Sequence, residues 1–296
     1  MNEDTDKEYR KRPHVLASDG NYLMQRANYA YKELAISDDQ HSGIVYGYIN
    51  YFCSYLTKYR PDYMIPLFDN DRSSYRTSIN SDYKANRPDK SEDMLKQFNA
   101  CREFLSLAGW TPYVEENVEA DDLAAKVAKD LGKNYFVELL SSDHDWRQLT
   151  KTCVVIKPGV KGKGDEYINY DKATEMLGFP AERWAEIAAI AGDPGDGVYG
   201  LPRYGYGRSI KLLNKWGDLW TACNNEPVLK DNVSRVLDNW KMTVLDGTVP
   251  KKDIPLEQNR VEDVRETVYD NEAVLDFCDR WHLASFKKKI LEHDLY

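Results

Sequence analysis

Carboxylates stand at regular stations along this chain, each punctuated as a strand end or a helix start: Asp19, Asp69, Glu119 with Asp121 and Asp122, Asp143 with Asp145, and Asp193 with Asp196. A carboxylate at the end of a buried strand is costly to desolvate unless a cation or a hydrogen-bond donor meets it. Several such ends gathered at one sheet edge would form an all-oxygen site for hard divalent ions. The chemistry that such a site supports is metal-assisted hydrolysis at phosphorus. VEADDLAAKVAKDL sets Ala120, Leu123, Ala124, Val127 and Leu131 on one stripe of a helix. At about 100° per residue, Glu119 and Asp121 flank that stripe and Asp122 points more nearly away, so the first two are the stronger ligands. Acids at a helix start are also favoured by capping and by the macrodipole, so this motif alone is more often structural. In SSDHDW, Asp143 and Asp145 can face one site if the chain turns there, whereas alternation aims His144 elsewhere and makes it a loop residue.

The elements that must carry these acids are legible as buried apolar runs closed by turn residues. HVLASDG reads as a strand ending in Asp19, YMIPLFD as one ending at Asp69, NYFVELLSSD as a third and CVVIKP as a fourth. Between them VYGYINYFCSYLTKYR, MLKQFNACREFLSLAG and EADDLAAKVAKDLG have helical period. Strands alternating with helices predict an α/β domain with a mostly parallel central sheet over residues 13 to about 175. In such open sheets the ligand site lies beyond the carboxyl ends of the strands, where Asp19, Asp69 and Asp143 would sit. KPGVKGKGDEY reads as a solvated turn joining two strands. From about residue 176 the pattern turns helical, through AERWAEIAAIAG, RSIKLLNKWGDLWTAC, a polar helix near DNVSRVLDNWKMTVLD and a terminal helix in NEAVLDFCDRWHLASFKKKILE.

Composition bounds the partners. A chain of 296 residues with 42% hydrophobic content holds a substantial core. Five scattered cysteines without a CxxC pair argue against a disulfide framework or a thiolate zinc site and favour a reducing, cytoplasmic setting. The charged start MNEDTDKEYRKRP reads as a disordered lead-in over residues 1–12, and no run is apolar enough to span a bilayer. Net charge of −9 points away from nucleic acid when taken whole, but bound divalent ions would offset part of it. Basic residues cluster locally in RSSYRTSINSDYKANR.

AGDPGDGVYGLPRYGYGRSIKLL is the most specific element. It places Asp193 and Asp196 in a tight turn after one helix and opens the next helix with YGYGRS. Gly205 and Gly207 would let backbone N–H groups approach a phosphate, with Arg208 and the helix N-terminus adding positive potential. By itself YGYG is more often a plain interhelical loop.

In this order, SDG, FDN followed by DYKANR, VEADD, SSDHDW and GDPGDG before GYGR resemble the 5′ nuclease family of flap endonucleases and 5′ to 3′ exonucleases, especially its stand-alone bacteriophage members. The resemblance runs from about residue 13 to 225. It implies a nuclease core (13–175) with a helical arch or clamp at about 70–100. It also implies a helical DNA-binding domain (176–296) with a helix-three-turn-helix at about 181–216. The implied ligands of two or more Mg²⁺ ions, with Mn²⁺ able to substitute, are Asp19, Asp69, Glu119, Asp121, Asp122, Asp143, Asp145, Asp193 and Asp196. Lys84 and Arg87 are implied at the scissile phosphate, Tyr83 as a stacking surface for an unpaired base, and Arg72 and Arg76 as backbone contacts. Gly205, Gly207 and Arg208 are implied as the duplex grip, with K⁺ bound beside them. The sequence departs from the family at three points: Tyr206 fills the middle of the second turn, Gly197 stands where Asn is frequent, and Ser18 precedes Asp19 where a second acid could stand.

The resemblance implies a monomeric, cytoplasmic hydrolase, working in the host cytoplasm if phage-encoded. Its substrates would be DNA with a 5′ flap, nick or 5′ end and RNA–DNA hybrids, met during primer and flap removal in replication, beside a single-strand-binding or replication partner. Two other readings stand beside it. A PIN-like single-strand ribonuclease shares the acidic core but leaves DYKANR and GYGR without a role. A non-catalytic DNA-junction binder would require missing ligands, whereas every acid station is filled.

Overall fold

The computed structural model describes residues 11–37, 40–70, 74–160, 162–269 and 271–295. Arg72 and most of the lead-in lie outside the described residues. Within the lead-in, Arg12 Nη1 donates to Lys133 O at 2.5 Å.

Alternation along the first strand decides the layering. In β1 (His14–Asp19) Leu16 faces one side of the sheet and Val15 and Ala17 the other, and all three are fully buried. Burial on both faces suits a parallel sheet covered by helices. β1 is followed by α1 (Gly20–Ala30), the short pair β2 (Ala35–Ser37) and β3 (Gln40–His41), α2 (Gly43–Tyr59) and β4 (Tyr63–Leu67). Next come α3 (Ser74–Ile79), α4 (Glu92–Leu107), α5 (Ala120–Leu131), β5 (Phe136–Leu140), β6 (Val154–Lys157) and β7 (Glu166–Ile168). The sheet order is β4-β1-β5-β6-β7, parallel except for β7. KPGVKGKGDEY is the antiparallel connection into β7. The expected α/β class with a mostly parallel sheet is the class observed.

One face packs against α1, α2 and α4 through Leu23, Tyr48, Phe52 and Phe104, the other against α5 through Leu123, Ala124 and Val127. Register brings the acids together. Asp19 pairs with Leu67, so Asp69 lies two residues beyond the same edge, and Ser18 pairs with Leu140, three residues before Asp143. Gly20 is required where the chain leaves β1, because a Cβ there would meet Phe68 at 2.4 Å.

After α6 (Tyr170–Leu177) the chain forms α7 (Trp184–Ala191), the two-residue strands β8 (Gly192–Asp193) and β9 (Val198–Tyr199), and α8 (Tyr206–Trp216). α9 (Leu219–Asn225), α10 (Pro227–Lys230) and α11 (Val233–Thr243) come next. Their core, including Ile187, Leu213, Leu229 and Val236, is separate from both faces of the sheet. α12 (Val261–Tyr269), α13 (Glu272–Arg280) and α14 (Ala284–Leu291) pack elsewhere. Val268, Phe277 and Phe286 join the α1/α2/α4 face of the sheet, so the tail does not continue the helical module as a 176–296 boundary expects. The expected single terminal helix is two, α13 and α14, broken at His282 with φ +53°. All five cysteines are free and buried, and among the described residues no helix is long and apolar enough to cross a membrane.

Candidate metal centre and nucleic-acid interface

A cleft of about 590 Å³ opens at the carboxyl edge of the sheet, lined by Asp19, Asp69, Asp121, Asp143 and Asp196 together with Lys84 and Arg87. A smaller recess beside it is lined by Asp121, Asp145, Asp193 and Asp196. Of the acids expected at one centre, these seven converge.

Five of them are held by hydrogen bonds. Asp19 caps α1, its Oδ1 accepting from Tyr22 N at 2.8 Å and its Oδ2 from Ser141 Oγ at 2.8 Å. Asp69 Oδ1 accepts from Ala120 N at 2.7 Å and so caps α5 from another segment. Trp146 Nε1 donates to Asp121 Oδ1 at 2.7 Å, and Trp184 Nε1 donates to Asp145 Oδ1 at 2.8 Å. Asp145 N donates to Asp143 Oδ1 at 2.8 Å where the chain enters a 3-10 turn. That turn also corrects the expectation for His144: its Nε2 lies 3.2 Å from Asp145 Oδ1, among the acids rather than aimed away, because strand alternation has ended.

Burial raises the Asp19 carboxyl to about 7, with Asp69 and Asp143 adding to the effect. Burial likewise lifts Asp145 to about 7, with Asp143 adding, and lifts Asp121 well above the usual range, with Asp143, Glu119 and Asp69 adding. Burial and neighbouring acids outweigh the nearby Lys84 at Asp121, and the all-oxygen donor set of these carboxylates suits Mg²⁺ or Mn²⁺. A carboxyl whose folded pKa exceeds its unfolded value near 3.8 removes stability as pH rises from about 4 to about 7. The metal-free protein should therefore melt a few degrees lower at pH 8 than at pH 6, and Mg²⁺ should raise the melting temperature more at pH 8. Equal Mg²⁺ shifts at both pH values would contradict a site built on these acids.

Two expected ligands are not in the cleft. Glu119 is 3% exposed, and its Oε2 accepts from Lys84 Nζ at 2.9 Å and Tyr83 OH at 2.9 Å, with Arg76 Nη1 at 3.4 Å. Burial would raise its carboxyl, but Lys84 and Arg76 outweigh it and hold Glu119 below the usual value. Asp122 is bound by Arg76, Nη1 to Oδ2 at 2.5 Å and Nη2 to Oδ1 at 2.9 Å. Helical spacing turns Asp122 away from the apolar stripe, yet it is buried, because the arch covers that second side of α5.

In the segment expected as an arch the structure places α3 followed by turns. Lys84 N donates to Asp196 O at 2.9 Å and Asn80 Nδ2 donates to Gly197 O at 3.2 Å, which docks the arch on the GDPGDG turn. Gly197 has φ +74°, and a Cβ there would meet Asp82 O at 2.3 Å. The departure from Asn at this position thus has a packing cause. Lys84 reaches the cleft wall and lies 3.7 Å from Asp196 Oδ2, while Arg87 Nη2 bonds Asp196 Oδ1 at 2.5 Å. Burial alone would lower the Lys84 pKa, but Glu119 beside it holds it well above the ordinary value. Arg76 and Tyr83 require correction: at 2% and 3% exposure they face the interior, so neither the backbone contact nor the stacking surface is presented in this arrangement.

Beyond the recess, Gly205 caps α8 without a side-chain bond, and a Cβ at Gly205 or Gly207 would meet no atom. Arg208 is exposed with its Cζ 4.3 Å from the Tyr204 ring centroid. Tyr206 packs edge-on against Trp184 at 5.0 Å, so the residue that departs from the family pattern ties α8 to α7. Replacing Arg208 by Ala should weaken duplex binding and reduce the salt slope by about 0.9, the share of one phosphate. A slope equal to the parent's would remove Arg208 from the interface. Trp146, Trp184, Ser141, Asn80 and Arg102, whose Nη2 donates to Asp69 O at 2.6 Å, support the site without having been expected there. Ser141 and Trp146, which bracket the acids in SSDHDW, carried a sequence signal, as did Asn80 within RSSYRTSINSDYKANR.

Known proteins resemble the chain in both sequence and fold. A family model described as the 5′-3′ exonuclease N-terminal, resolvase-like domain matches residues 14–178. The thermostable DNA polymerase I of Thermus thermophilus is 28% identical over 277 residues, 92% of this chain and 32% of that protein. The chain thus spans about a third of such relatives. A 5′-3′ exonuclease of Aquifex aeolicus is 28% identical over 225 residues, 75% of this chain and 72% of that one. Among solved structures, the T5 D15 protein co-crystallised with metal ions superposes with a TM-score of 0.66 at 20% identity, over 95% of this chain and 99% of that one. Flap endonuclease-1 from Methanococcus jannaschii gives 0.56 at 18%, over 95% of each chain. At these identities the structural likenesses speak for the fold.

Proposed function

The chain belongs to the family of 5′-3′ exonuclease N-terminal, resolvase-like domains, and from that premise we propose that it is a divalent-metal-dependent 5′ nuclease selective for DNA structure. The observation that carries this reading is the cleft: strand-end carboxylates Asp19, Asp69 and Asp143 with Asp121, beneath Lys84 and Arg87. These four acids would hold the ions, with Asp145, Asp193 and Asp196 alongside, and Mg²⁺ is the natural occupant with Mn²⁺ as substitute. When bound, such ions supply an activated water for in-line attack and offset charge on the leaving 3′ oxygen.

The chain's own groups do the rest. Asp19 and Asp121, both held high by burial with Asp69 and Asp143 adding, would give up their protons as cations bind. Lys84 Nζ and the Arg87 guanidinium would lie against the scissile phosphate and stabilise its added charge. The open N-terminus of α8 at Gly205 and Gly207, with Arg208, would hold the duplex backbone beyond the cut, and K⁺ would bind beside them. Contact through phosphates carries no base readout, so the substrate would be recognised by its 5′ end or branch. DNA with a 5′ flap or nick and RNA–DNA hybrids are the expected substrates, in primer and flap removal by a monomer acting beside a replication or single-strand-binding partner. Cutting a 5′-labelled flap, a nicked duplex and a single-stranded RNA, each with Mg²⁺ and with chelator, tests this. Mg²⁺-dependent products at the flap junction or 5′ end are expected. Cleavage of the RNA alone would favour the ribonuclease, and binding without cleavage a junction binder.

A further inference from the structure

We infer that Arg76 and Asp122 form an interior anchor that holds the arch on α5 and on the helical module, and that Asp122 serves this anchor instead of coordinating a cation. Arg76 donates through both terminal nitrogens to the two oxygens of Asp122, and through Nε to Met242 O at 2.8 Å in the last turn of α11. Each of the pair is 2% exposed. One guanidinium therefore binds the start of α5 and the end of α11 from the base of the arch. Around it Ile79 and Tyr83 of the arch pack with Val198 and Met242. The planar fork of arginine fixes both distance and angle on a carboxylate, which a lysine at this position would not do.

Asp121 and Asp122 leave α5 about 100° apart. Asp121 turns to the cleft and Asp122 to the arch, and the Arg76 side chain lines the recess that Asp122 does not reach. A buried ion pair is a weak source of net stability, so its value lies in specifying one arrangement. What it specifies is where the arch starts, and hence where Lys84 and Arg87 stand over the acids. Arg76 and Asp122 are thus positioning residues, acting through Lys84 and Arg87. The inference rests on the nuclease reading of the cleft only for its kinetic consequence.

The test compares Asp121→Asn, Asp122→Asn, Arg76→Gln and the pair R76Q/D122N. Free Mn²⁺ is followed by electron paramagnetic resonance, arch release by limited proteolysis, and chemistry by single-turnover cleavage of a 5′ flap. Asp121→Asn should weaken Mn²⁺ binding about tenfold or more, whereas D122N and R76Q should keep it within about twofold of the parent. Both should speed proteolysis within residues 74–90 and slow flap cleavage by about tenfold, and the paired variant should be no worse than either, since the two act as one unit. If a single variant loses its fold by circular dichroism, R76Q/D122N, which leaves neither charge unpaired, carries the same comparison. Mn²⁺ affinity lost in D122N as in D121N, with R76Q at the parent's value, would make Asp122 a ligand and overturn the anchor. A parent that cuts no flap would sink the nuclease reading, while the Mn²⁺ and proteolysis comparisons would still decide the anchor.

Discussion

Changing Asp121 to Asn is expected to lower single-turnover cleavage of a 5′ flap by about a thousandfold or more, with duplex affinity kept within about threefold of the parent. Asp121, like Asp196, lines both the cleft and the recess beside it, so it stands where charge from the other carboxylates accumulates. Its pKa, lifted far above the usual range by burial with Asp143, Glu119 and Asp69 adding, registers that position. Asn keeps the shape and can still accept from Trp146 Nε1, so the fold should survive. Loss of one anionic ligand removes several kcal/mol of transition-state stabilisation, because each ~1.4 kcal/mol is a factor of ten in rate. The duplex grip proposed at Gly205 and Arg208 is on another element and should be untouched. Asp143→Asn should behave in the same way. Rapid-quench kinetics at saturating Mg²⁺ with parallel filter binding would check both, and a rate near the parent's would remove the residue from the centre.

Lys84→Ala should slow the chemical step by about a hundredfold and change DNA affinity far less. The side chain reaches the cleft wall while its amine is held by Glu119, with the Asp196 carboxylate close by. Its φ of +53° fixes the direction from which it enters. A lysine tethered in this way is aimed before substrate arrives, and truncation removes a cation from the place where phosphate charge grows. The variant should also lose stability, because Glu119 is left buried with one cation fewer. Arg76 and Tyr83 still contact Glu119, which should limit that loss. Measuring the single-turnover rate and the melting temperature together separates the two effects. An unchanged rate with a lowered melting temperature would make Lys84 purely structural.

The acids at strand ends were legible because burial and turn chemistry mark a strand end locally. Apolar runs closed by Asp and then Gly, as at Asp19, leave few alternatives, since a carboxylate inside such a run must find a buried partner, as Glu138 finds His14 at 2.9 Å. The Gly-rich turn at 192–200 was equally visible, although the reason for Gly197 was not. Its φ of +74° and the approach of Asp82 O belong to an arch that folds back from more than a hundred positions earlier.

Chain order and periodicity by themselves determined the parallel α/β sheet, the edge at which Asp19, Asp69 and Asp143 meet, and the helical character of the chain beyond the sheet. These are set by nearest neighbours along the chain, by period 2 or 3.6, and by the energetics of burying apolar faces. Only the tertiary structure decided how VEADD divides. Asp121 faces the cleft, Asp122 is bound by Arg76, and Glu119 is shared among Lys84, Tyr83 and Arg76. A helical wheel can rank these acids against one apolar stripe, but it cannot know that the arch buries the opposite side of the helix as well. The tertiary structure likewise turned Arg76 and Tyr83 from expected DNA contacts into interior supports and carried α12 to α14 back to the α1/α2/α4 face of the sheet. In each case the deciding partner lies far away in sequence, and the cost of burying a charge without its partner selects the pairing.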